Sequence, residues 1–248
     1  MIIFLRGHIR NSFRNDDLYN LLKAIQSSNE LELYICTWSV FSSSSSYRIV
    51  EENNSCVTID TIHAYFRDLV ATIKLVKIME EQTVMLTGKT EGSIGHSCPI
   101  RGWKYMIYNI YHLIETIYKS GNNRSNILTT RFDILQLACN RIRSSYILDF
   151  IQKYKDTQRR VVFTKGRTRL HCGCDNLMIG KIQSLYMLFY NLNFKLDDVI
   201  SRNPSEIHQE HYVMLEHNYL ESLRKSKNRQ YSTVYKPVQQ NNIPLENI

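Results

Sequence analysis

The chain has 248 residues, 43% hydrophobic and 22% charged, with 9 glycines and 4 prolines, a composition that suits a well-buried core and excludes collagen-like and linker-rich classes. Lysine plus arginine outnumber aspartate plus glutamate by 31 to 23, a net charge of +8, which favours anionic partners such as nucleic acid, acidic membrane or nucleotide phosphates. The cysteines at 36, 56, 98, 139, 172 and 174 are too sparse for a disulfide scaffold, residues 1–5 are too short for a signal peptide, and no run approaches the ~20 apolar residues of a membrane span. The expectation is a cytoplasmic, reduced protein with no transmembrane segment.

In chain order, 2–5, 31–37, 83–86, 126–130 and 160–164 are rich in Ile, Leu, Val, Phe and Tyr, as buried parallel strands are. Between them, 16–26, 58–79, 103–118, 175–192 and 205–223 carry apolar residues every three or four positions and read as helices. Alternation of β and α segments predicts an α/β domain over 1–224 with a mainly parallel sheet flanked by helices. Serines 42–46 read as a loop, and 225–248 is polar and aperiodic, a loosely packed tail.

Ligands of open α/β sheets bind beyond the carboxyl ends of the strands. The first expected strand runs into Arg6-Gly7-His8-Ile9-Arg10, the second ends at Thr37-Trp38, and the third at Thr87-Gly88-Lys89. The fourth ends at Arg131-Phe132-Asp133 and the fifth at Lys165-Gly166-Arg167. Positions two apart on a strand share a face, so Arg131 and Asp133 arrive together. A carboxylate there suits a hard divalent cation, and the arginines suit phosphate. An Arg–Asp ion pair at a strand end is the plainer interpretation. The turn after the first strand matches neither a P-loop nor GxGxxG.

RGHIRNSF at 6–13, a leucine-rich helix and LYICTW at 33–38 together resemble the start of a group of GT-A-type nucleotide-sugar glycosyltransferases of viral and bacterial surface-polysaccharide synthesis. That group begins with a strand, a Gly-x-x-Arg-like turn, a helix and a strand ending in His-Thr-Trp, and Cys36 stands at the histidine position. The helix at 103–118 and the strand reaching Thr130-Arg131-Phe132-Asp133 resemble the group's long helix and Arg-x-Asp strand end. Asp175 to Gly180 resembles its Asp-x-x-x-x-Gly element preceding a helix. Asn203-Pro204-Ser205-Glu206 resembles a Pro-Glu element with Ser205 inserted. The pieces span residues 1 to about 220 in the group's order.

The resemblance implies a GT-A-like (Rossmann-like) fold and transfer of a sugar from a nucleotide-diphosphate sugar, a UDP-sugar foremost, to a glycan or related acceptor. It implies that Asp133 holds Mn²⁺ or Mg²⁺ on the diphosphate, that Arg6, Gly7 and Arg10 line the nucleotide pocket, and that Arg131 orients the acid or touches phosphate. Asp175 would face the acceptor or the transferred sugar as the catalytic base; it also reads as the N-cap of the following helix. The usual Asp-x-Asp pair has Arg131 in place of its first acid. Trp38 is the aromatic residue best placed to stack on a base or sugar ring.

Other constellations carry less. His171-Cys172-Gly173-Cys174 has no partner pair for a zinc site. His208, His211 and His217 read as helix-face residues, and no GxSxG elbow is present. The alternatives are a non-catalytic nucleotide- or nucleic-acid-binding module resting on the +8 charge and the basic cluster at 159–169, or an inactive transferase fold serving in assembly. Without a long basic arm, nucleic acid is the less favoured partner.

Overall fold

A computed structural model describes residues 1–43, 52–94, 98–121, 125–136, 142–164, 175–204 and 208–227. Its centre is a six-stranded sheet of β1 (Ile2–Arg6), β2 (Glu32–Trp38), β5 (Ile73–Met79), β8 (Asn126–Arg131), β9 (Val161–Phe163) and β10 (Leu177–Lys181). The spatial order is β5-β2-β1-β8-β10-β9. Neighbours from β5 to β8 pair in parallel, β10 runs antiparallel to both β8 and β9, and the sheet is therefore mainly parallel. Two short hairpins lie outside it: β3 (Val40–Ser42) with β4 (Asn53–Cys56), and β6 (Ser93–Ile94) with β7 (Cys98–Pro99).

The helices are α1 (Asp17–Ser28), α2 (Ile59–Phe66), α3 (Ile100–Lys119), α4 (Ser144–Tyr154), α5 (Ile182–Phe194), α6 (Leu196–Arg202) and α7 (Gln209–Lys227). They cover both faces of the sheet. In β1, Ile2 and Phe4 face a core shared with α3, α5 and α7, while Ile3 and Leu5 face one shared with α1, α2 and α4. This two-sided burial explains why β1 reads as an unbroken apolar run. No helix among the described residues is long and apolar enough to cross a membrane.

Two expected elements differ. The helix expected over 58–79 is α2, then a 3₁₀ segment Arg67–Thr72, then β5. Thr58 caps α2 by accepting from the Thr61 N–H at 3.1 Å, and the chain leaves the helix at Arg67 with φ 52. The strand expected over 83–86 is thus replaced by β5, and the third strand ends at Met79 rather than beside Lys89. The helix expected over 175–192 likewise splits into β10 and α5. Gly180 has a packing reason: a Cβ there would lie 2.6 Å from the Arg160 carbonyl oxygen, so only glycine lets β9 and β10 approach.

α7 runs to Lys227, past the start expected for the tail at 225. Lys165, Gly166 and Arg167, the His171–Cys174 cluster, Ser205 and Glu206 fall outside the described residues, as do 44–46 of the serine run and the tail beyond 227.

Candidate functional site

The sheet reverses its order between β1 and β8. From β1 the chain moves outward to β2 and β5, then returns to place β8 on the other side of β1. Such a switch point opens a crevice beyond the strands' carboxyl ends. β1 delivers Arg6 there and β8 delivers Arg131, which pair in register. Because β10 is antiparallel, its first residue, Leu177, lies opposite Thr130, and Asp175 just before it reaches the same edge. Asp175 thus leads into a strand and caps no helix.

The turn after β1 is built for this crevice. Gly7 has φ 87, a left-handed conformation that glycine adopts without steric cost. Its N–H faces the Cys36 carbonyl at 3.1 Å and Asn109 Oδ1 at 3.3 Å. Arg10 also has positive φ, 54, which costs a bulky side chain about 1–3 kcal/mol and persists only where neighbours enforce it. Its N–H donates to the Phe41 carbonyl at 2.8 Å, and its Nη1 reaches Asp133 Oδ2 at 2.5 Å.

Asp133 is only 3% exposed and is held from two sides. Arg131 grips it with a fork, Nε on Oδ1 at 2.7 Å and Nη2 on Oδ2 at 2.8 Å, and Arg10 shares Oδ2. Bidentate guanidinium–carboxylate pairs are among the strongest polar contacts. Held this way, Asp133 does not fit the expected metal role. Both oxygens are engaged, and a divalent cation would stand against two guanidinium charges. Among the described residues no group of three or more His, Cys, Asp and Glu gathers to hold a metal. The plain ion pair is what forms, and it fixes the directions of Arg10 and Arg131.

Arg6 is 1% exposed, with Nε donating to Thr129 Oγ1 at 3.1 Å and Nη2 to the Asp175 carbonyl. Burial lowers its pKa to about 10, opposed by the Asp175 and Asp133 charges and reinforced by Arg131, so it stays cationic at neutral pH. Asp175 is 3% exposed, lines the cleft, and its Oδ1 has no hydrogen-bond partner. Two other cleft-lining atoms share that condition, His8 Nε2 and Trp103 Nε1. A buried polar atom without a partner costs about 1–3 kcal/mol, so a concentration of them marks where water or a ligand belongs.

The walls are aromatic. Trp38 is 2% exposed and packs edge-on against Tyr105 with ring centres 5.4 Å apart, so it forms a wall of the cleft. His8 lies beside it, centroid to centroid 5.9 Å. Burial lowers the His8 pKa to about 3, with Arg10 and Arg131 adding to the shift and Asp133 opposing it. Its 3.5 Å approach to Glu81 is therefore no ion pair at neutral pH. The cleft volume is about 100 Å³, well under the ~300–1,000 Å³ of sites that enclose a whole small molecule. It takes one end of a ligand and leaves the rest outside.

Of the expected site residues, Arg6, Gly7, Arg10, Trp38, Arg131 and Asp175 line this one cleft, and Asp133 binds two of them. Lys89 does not join: its backbone N–H donates to Asp197 Oδ2 at 2.8 Å. Glu81 lines the cleft instead, because the third strand ends earlier than expected. The rim is consequently not uniformly cationic. Of the 159–169 basic cluster, Arg160 pairs with Glu221 at 2.9 Å, Arg159 is exposed, and 165–169 lie outside the described residues. His208 and His211 sit with ring centres 5.4 Å apart, and His217 packs on Phe163 at 5.4 Å.

Sequence reasoning missed Asn109, His8, Trp103, Glu81 and Glu210. Asn109 left a trace, since it is a polar residue, 1% exposed, on the apolar face of α3. Comparison with protein-family models, with curated proteins and with solved structures finds no match to this chain.

Proposed function

We propose that the chain is a glycosyltransferase of GT-A-like fold that moves a sugar from a nucleotide-diphosphate sugar, a UDP-sugar foremost, to a glycan or related acceptor. The observation that carries this reading is the pairing of opposites at the β1/β8 switch point. Guanidinium groups directed by Asp133 line the same cleft as Asp175, a buried carboxylate whose Oδ1 has no partner. Glycosyl transfer requires both, a cationic group for the departing diphosphate and an acceptor for the proton of the attacking hydroxyl.

In this reading the diphosphate lies toward Arg10 and Arg131, whose directions Asp133 sets. The acceptor oxygen bonds to the anomeric carbon as the bond from that carbon to the diphosphate oxygen breaks. The bonding pair leaves with the diphosphate, where the guanidinium groups offset the growing negative charge. Asp175 takes the acceptor proton. Asp133, with both oxygens bonded to arginine, acts as a positioning residue. No step is assigned to a metal ion. Trp38 and Trp103 line the cleft wall, where aromatic rings exclude water.

The test is release of nucleoside diphosphate from a panel of UDP- and GDP-sugars, with oligosaccharides as acceptors. Wild type should turn over at least one donor and Asp175→Asn none above background. Silence of the wild type on every donor, or equal turnover by the variant, would contradict the proposal.

A further inference from the structure

The cleft is lined by charges of both signs. Arg10 and Arg131 cluster with Asp133, with Arg10 Nη1 and Arg131 Nε at 2.5 and 2.7 Å from that carboxylate, and Arg131 Nη1 also donates to Asn176 Oδ1 at 3.3 Å. Asp175, Glu210, Cys98 and Trp103 line the same cleft. Burial drives the Cys98 thiol pKa up to about 12, and the Asp175 and Glu210 charges, both near it, push the same way. Arg6 is buried and donates to the Asp175 carbonyl.

We infer that the part of the cleft lined by Asp175, Glu210 and Trp103 is a subsite for a neutral or amino sugar, and that it rejects sugars bearing a carboxylate. The inference rests on the donor-site reading above and names the class of sugar transferred. Asp175 Oδ1 is an acceptor without a donor and Trp103 Nε1 a donor without an acceptor. A sugar hydroxyl supplies both functions, donating to the first and accepting from the second. A carboxylate only accepts. It satisfies Trp103 while placing a negative charge against Asp175 and Glu210, and like charges in a desolvated site are strongly disfavoured. The acids thus favour hydroxyls and amines and exclude uronates, which is selection by repulsion as well as attraction.

The experiment uses matched donors that differ only at the sixth carbon, bound to the full chain and measured by calorimetry. UDP-glucose is compared with UDP-glucuronate, and GDP-mannose with GDP-mannuronate, with UDP and GDP as references. In wild type the neutral donor of the accepted base should bind at least about ten-fold tighter than its acidic twin, a difference of ~1.4 kcal/mol. That ratio should shrink in Asp175→Asn and in Glu210→Gln, either of which suffices if the other fails to fold. Equal binding of neutral and acidic donors, while UDP or GDP still binds, overturns the sugar subsite and leaves the donor reading standing. A ratio unchanged in both variants overturns the assignment to these carboxylates. Failure of every nucleotide to bind overturns the donor reading, and this inference with it.

Discussion

Asp133 and Asp175 stand near the ends of neighbouring strands, each 3% exposed, yet their surroundings differ completely. Asp133 is bonded on both oxygens by Arg131 and again by Arg10. Asp175 has a buried Oδ1 with no partner. Breaking the first arrangement leaves buried charges uncompensated, whereas the second already carries the desolvation cost of a buried atom without a partner. Burial alone therefore does not separate a structural acid from a working one. Satisfaction differs between them, and on the proposed function it suits Asp133 to holding the site and Asp175 to using it.

The comparison breaks most readily through exchange of the two acids' roles. Asp175→Asn should lower kcat/KM for transfer by roughly 10²–10⁴-fold, the usual contribution of a positioned base. The melting temperature should stay within a few degrees, since an amide relieves an unpaired buried carboxylate. Steady-state kinetics with a parallel thermal melt separates the two effects. Asp133→Ala should do the reverse on stability, costing about 3–5 kcal/mol because two guanidinium groups lose their counter-charge. For a chain of this size that is a fall of roughly 2–4 °C per kcal/mol, readable by urea and thermal unfolding. A stability loss for Asp175→Asn as large as that for Asp133→Ala would remove the distinction.

His8 sharpens the same picture through pH. Its folded pKa, near 3, lies below the ordinary value of 6.5. Above pH 6.5 both folded and unfolded forms are neutral there, and the full stability is present. As pH falls through 6.5, the unfolded chain takes up a proton that the folded form refuses, and stability declines toward pH 3. One such proton amounts to about 2 kcal/mol between pH 6.5 and 5. His112 and His217, both lowered by burial, act in the same direction. Urea unfolding at the two pH values should therefore give a smaller drop in His8→Asn than in wild type.

The smallest expected effect concerns the metal. With Asp133 occupied by arginine, exchanging excess EDTA for Mn²⁺ should change nucleotide diphosphate affinity by less than about two-fold, under ~0.5 kcal/mol. A large gain with Mn²⁺ would show that Asp133 leaves its arginines to bind the ion.

Much of the frame was legible in the residues. The apolar run Ile2–Leu5 of β1 and the β-branched-rich Ile127-Leu128-Thr129-Thr130 run of β8 read as strands, and 103–118 carries a helical stripe long enough to be unambiguous. β5 was hidden because Ile73 and Val76 continue the three-and-four spacing begun by Ile62, Phe66 and Leu69, and periodicity does not distinguish a buried strand from a buried helix turn. Leu177-Met178-Ile179 hid β10 in the same way. That error misplaced the third strand end and put Lys89 at the rim in place of Glu81. Arg131 and Asp133 were legible as same-face neighbours. The engagement of Arg10 with Asp133 was not, because it depends on a positive φ at Arg10 and on a contact 123 positions apart in sequence. His8 stands inside the RGHIRNSF turn and Asn109 and Trp103 inside the 103–118 helix, but no spacing singles them out; they come together only when α3 and the Gly7 turn meet.

The proposed function requires a nucleotide diphosphate to bind against Arg10 and Arg131 in the β1/β8 cleft. Calorimetric titration of UDP and GDP into wild type, Arg10→Ala and Asp175→Asn measures that binding. At least one nucleotide should bind wild type saturably, about ten-fold or more weaker in Arg10→Ala, a loss of ~1.4 kcal/mol, and little changed in Asp175→Asn. No binding by wild type, or equal affinity in Arg10→Ala, would rule out a diphosphate site there.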